Sequence, residues 1–106
     1  MYYLMMWDKD LAATGQEGCL DKIEIPLSAA NLFFKLDSKQ FPMLSNLSFD
    51  DYDIFSGSQI DALVDELLAA ASLNPKISEA VKLTVEFIRK VKLLGQSVLF
   101  DPFRMN

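Results

Sequence analysis

The sequence predicts an α+β fold, a small mostly antiparallel sheet packed with an antiparallel pair of helices, and three observations carry that prediction. Two apolar stripes of helical period lie back to back near residues 58–72 and 75–94, joined by Asn74-Pro75. Apolar or alternating runs of strand length stand at Tyr2–Trp7, Asp21–Leu27 and Ser97–Phe100. The 106 residues, 51% hydrophobic and 24% charged, suit one domain over 1–106 with a real core and are too few for two.

Taken in order, Tyr2–Trp7 is too short for a stable helix and reads as a buried strand ended by Asp8-Lys9-Asp10. Gly15 and Gly18 interrupt regular structure. Ile23, Ile25 and Leu27 alternate with Lys22 and Glu24, which predicts a second strand that Pro26 places at an edge or ends early. Ala29, Leu32, Phe33 and Leu36 have helical spacing that Ser28 could cap, so Ser28–Leu36 is expected to form a short helix or turn, although Leu32-Phe33-Phe34 would also suit a strand. Phe41–Phe55 mixes apolar residues with Pro42, serines and aspartates and is expected to be a packed loop with a helical turn, extended at Tyr52–Phe55.

Ile60, Leu63, Val64, Leu67, Leu68 and Ala71 follow i, i+3, i+4, i+7, i+8, i+11, one apolar stripe, and Ser58 with Asp61 three residues later has the form of a capping box. Asn74 is then a cap and Pro75 a first helical residue for a second helix, whose stripe runs from Ile77 through Ala80, Val81, Thr84, Phe87, Ile88 and Val91 to Leu94. Glu79 early and Arg89, Lys90 and Lys92 late suit the helix dipole.

Charge is segregated along the chain. The net charge is -5, yet residues 40–75 hold six acids (Asp50, Asp51, Asp53, Asp61, Asp65 and Glu66) and no base, whereas residues 76–100 hold five bases and two acids. Such a balance argues against a nucleic-acid partner, which needs clustered Lys and Arg, and favours a basic protein partner. The ordinary alternative is a solvated face that keeps the protein in solution.

Absences exclude the commonest chemistries. With no histidine the usual general base and metal ligand are missing, and with Cys19 alone there is neither an intrachain disulfide nor a multi-cysteine zinc site. Cys19 is expected to be an inert thiol. Counting an EF-hand loop from Asp51 puts Ser56 and Ala62 where Gly and Glu are required, and no Gly-rich phosphate loop accompanies the aspartates. The expectation is therefore no catalytic site, no cofactor and no metal. No basic leader precedes the first apolar run and no segment approaches the roughly 18 apolar residues of a membrane span, so a cytoplasmic protein with no membrane partner is expected.

Phe41-Pro42-Met43-Leu44-Ser45-Asn46-Leu47, then Asp51-Tyr52-Asp53-Ile54-Phe55, then Gln59-Ile60-Asp61-Ala62-Leu63-Val64-Asp65-Glu66-Leu67 resembles a group of small bacterial proteins. In them an F-P-L-L-type segment leads through an acidic, aromatic loop into a helix ending in E-L. The group is similar to the cytosolic immunity proteins of polymorphic toxin systems, those of contact-dependent inhibition and type VI secretion. The resemblance implies a non-enzymatic protein that binds a cognate toxin domain, basic and nuclease-like, and occludes it. The expected partner surface is Asp50, Asp51, Tyr52, Asp53, Asp61 and Asp65, with Asp51, Asp53, Asp61 and Asp65 opposite Lys or Arg of the partner. Two other classes remain: a homo-oligomeric structural or regulatory domain, at its simplest a homodimer, and, least supported, a small enzyme using only carboxylates.

Overall fold

A computed structural model describes residues 2–104. Four strands, β1 (Tyr2–Trp7), β2 (Cys19–Ile25), β3 (Asp53–Phe55) and β4 (Ser97–Asp101), form one sheet in the order β2-β1-β4-β3 with every neighbouring pair antiparallel. The helices are α1 (Lys9–Ala13), α2 (Leu27–Phe34), α3 (Ser58–Leu73) and α4 (Ser78–Leu93), so the α+β expectation holds.

The central strands carry near-continuous apolar runs because both of their faces are covered: Tyr2 to Met6 and Ser97 to Asp101 are all buried. On the inner face Tyr2, Leu4 and Met6 of β1 and Val98 and Phe100 of β4 meet α2, α3 and α4 through Phe33, Leu63, Leu67, Val85 and Ile88. Each such side chain taken from water contributes about 1.5–3 kcal/mol before the chain entropy is counted. On the outer face Tyr3, Met5 and Leu99 make a second, smaller cluster against Trp7 and Cys19, with no residue of α2, α3 or α4 in it.

Several local expectations need correction. A five-residue helix, α1, follows β1 because the Asp8 carboxylate accepts the backbone N–H groups of Asp10 (3.0 Å) and Leu11 (3.1 Å), so Asp8 caps a helix as well as ending the strand. Helix α2 begins one residue before Ser28, with Pro26 at its N-cap and no side-chain cap. Ser58 caps nothing either; Gly57, at φ 57°, makes the entry to α3, and Gln59 accepts the Ser56 N–H. Asn74 turns its amide back to the Ala70 carbonyl at the end of α3. A 3₁₀ turn at Pro75–Ile77 then precedes α4.

The stripes rotate slightly from their predicted lines. In α3 Ala70 is buried while Leu68 is exposed, and in α4 Val85 is buried while Leu94, beyond the helix, is exposed. Gly18 is required for close approach, since a Cβ there would lie 2.8 Å from the Trp7 ring.

Candidate functional site

The segment carrying the resemblance is first of all a packing device. Phe41, Leu44, Leu47, Leu63 and Leu67 are buried, and the Glu66 carboxylate on α3 accepts the N–H groups of Met43 (3.1 and 3.2 Å) and Leu44 (3.1 Å). It thereby satisfies donors at the start of the 3₁₀ turn Leu44–Asn46, which no residue within that turn can reach. One of the six acids of the middle segment is thus committed to the fold.

The chain then runs out into an acidic loop. Leu47 is buried beneath it, and Phe49 holds it from the side through edge-to-face contacts with Phe34 (4.6 Å) and Tyr2 (5.5 Å). Ser48 Oγ accepts the Asp50 N–H at 3.2 Å and Asp51 Oδ1 accepts the Tyr52 N–H at 2.8 Å, which fixes the turn. Asp50 and Asp51 are exposed and pair with no cation among the described residues. Tyr52, also exposed, packs edge-on against Phe103 with ring centroids 5.0 Å apart.

Asp53 does not share that surface. It lies opposite Phe100 in the β3–β4 ladder, half-buried, and its Oδ2 has no hydrogen-bond partner among the described residues. Burial chiefly, and repulsion from Asp51 next, push its carboxyl above the ordinary range, with the Ser48 backbone N–H pulling the other way. The neighbouring Tyr2 hydroxyl is likewise buried with no partner among the described residues, and its pKa is raised by burial and then by the Asp53 charge.

Asp61 and Asp65 sit elsewhere again. They line a cleft of about 300 Å³ between α3 and α4 together with Arg89 and Lys92, and the Lys92 ammonium pairs with the Asp61 carboxylate. The basic segment of the sequence is α4 itself, folded back antiparallel along α3. Charge that is segregated along the chain is therefore partly neutralised in space.

Tyr52 leads to residues that sequence reasoning passed over. With Trp7, Glu17, Leu99, Asp101 and Arg104 it lines a cavity of about 460 Å³ on the outer face of the sheet. Asp101 is buried, and its Oδ1 accepts the N–H groups of Phe103 (2.7 Å) and Arg104 (3.2 Å), which folds the chain back beyond β4. Arg104 reaches Glu17 at 2.9 Å, 87 residues away in the chain. The one signal in the sequence is a carboxylate closing the apolar run Ser97-Val98-Leu99-Phe100-Asp101.

Among the described residues no three His, Cys, Asp or Glu side chains are grouped to hold a metal. Cys19 is half-buried, its thiol 3.5 Å from the Asp21 carbonyl and its pKa raised chiefly by burial. Also among them, no helix is long and apolar enough to cross a membrane. Against protein-family models, curated proteins and solved structures the chain gives no match.

Proposed function

We propose that this chain is a binding protein that neutralises a cognate basic toxin domain, the role its resemblance to toxin-immunity proteins implies, and that it docks through the loop 49–52. The supporting observation is that Asp50 and Asp51 stand exposed and pair with no cation among the described residues, beside the exposed pair Tyr52 and Phe103. Carboxylates at the rim steer a basic partner, and the aromatic pair supplies apolar contact once water is excluded. Asp61 and Asp65 are secondary, because a partner's cation must compete there with Lys92 and Arg89.

The test is charge reversal of Asp50 and Asp51 together to Lys, assayed against any basic toxin domain whose gene adjoins this one. Asp53 is left alone, since reversing a half-buried residue confounds binding with folding. The association rate should fall about tenfold at low salt and lose its salt dependence, with the thermal midpoint unchanged. Binding and cell protection that survive the double reversal would sink the proposal.

Self-association is the second reading, favoured by Leu83, Leu93 and Leu94 standing exposed on and just beyond α4. Sedimentation at rising concentration, with Leu93→Lys as the control, separates the two.

A further inference from the structure

We infer that the outer-face cavity is a socket for an arginine side chain of the basic partner. The inference rests on the proposed binding role and names the contact that role would use. Trp7 and Tyr52 line the cavity and Leu99 contributes apolar surface. Among the described residues its ionic groups are the two carboxylates of Glu17 and Asp101 and the cation Arg104, so the cavity carries one net negative charge.

Arg104 leaves that demand unmet. Its guanidinium bonds Glu17 at 2.9 Å and pairs with Asp101 Oδ2 at 3.7 Å, an ionic contact longer than a hydrogen bond, so two carboxylates share one cation. Nor does Arg104 stack on either wall; among the described residues the cation–π contact is Lys22 over Tyr3, outside this cavity. A planar, weakly hydrated cation matches what remains: its faces suit Trp7 and Tyr52, and its edge suits the carboxylates. An anion would meet two carboxylates for one cation. An uncharged apolar group would leave the Asp101 charge desolvated and no better paired.

Trp7 is the chain's single tryptophan, so its fluorescence reports on the cavity. The full chain is titrated with N-acetyl-arginine amide, and with the citrulline amide as an uncharged isostere. The arginine probe should give a saturable change that citrulline does not. Glu17→Gln, at the exposed rim, should weaken it about three- to tenfold, whereas Arg104→Gln, which removes the competing cation, should tighten it by a similar factor. Opposite signs cannot come from damage to the fold in both variants. Equal responses to arginine and citrulline, shifts of the same sign, or no saturable change in either wild type or Arg104→Gln would overturn the inference. The loop change Asp50→Lys with Asp51→Lys is read on partner binding and not on the probe, because Asp51 also holds the backbone of Tyr52. If the cavity fails while that loop change still abolishes partner binding, the socket falls and the docking proposal stands.

Discussion

The two faces of the sheet share the same strands, and the core residues on both are buried, yet they are built differently. Leu4 on the inner face and Met5 on the outer face are both 0% exposed. Leu4 lies under helices whose side chains interlock with it; Met5 lies in a cluster completed by Trp7 and Cys19, next to a cavity bounded by the long side chain of Arg104. Burial measures distance from water and says nothing of how firmly the cover is held. A surface that must admit a partner's side chain belongs where the cover is made of side chains and a short return of chain, and only the outer face offers that.

The sharpest way to break this comparison is to truncate one residue on each face. Leu4→Ala should cost about 3–5 kcal/mol in urea unfolding, because the helices above cannot collapse into the space, and Leu99→Ala nearer 2 kcal/mol, because its cover can settle. Equal losses would mean that the outer cover is as rigid as the helical layer.

Next in size is the fastening of the loop 41–47. Glu66→Ala should cost about 1–3 kcal/mol by stripping the Met43 and Leu44 N–H groups of their acceptor, and Glu66→Gln should recover part of it. Chemical denaturation of both variants decides this. A neutral Glu66→Ala would show that water satisfies these donors equally well, and the packing account of the F-P-M-L segment would fail with it.

A smaller effect depends on pH. Because Asp53 has a folded pKa above its ordinary value of 3.8, ionising it opposes folding: its stabilising protonated form is fully present below 3.8 and is lost as pH rises through the folded value. Asp53→Asn should therefore match wild type at strongly acid pH and become the more stable of the two toward neutrality. Parallel stability curves across that range would place Asp53 in solvent with Asp50 and Asp51.

The least effect is expected from the α3–α4 surface. Asp61 and Lys92 both have more than half of their side chains exposed, so a double-mutant cycle with Asp61→Asn and Lys92→Met should give at most about 1 kcal/mol, shrinking with salt. A larger, salt-resistant coupling would make the cleft a structural ion pair and remove Asp61 from any partner surface.

The elements were legible from the sequence alone. The apolar patterns placed α3, β1 and β4 to within a residue and α4 to within three, because the spacing of apolar side chains is set by local backbone geometry. The short α1 was missed, since one turn closed by an Asp8 cap leaves no apolar period to read. The role of each acid, by contrast, was decided only in three dimensions. Glu66 found its partners 22 and 23 residues away and Asp61 found Lys92 31 away, while Glu17 met Arg104 across 87. Asp53 was turned inward by its strand register, leaving Asp50 and Asp51 outside. A run of like charges is a property of the chain, but its field depends on which opposite charges the packing brings beside it, and no local pattern encodes pairings over such separations.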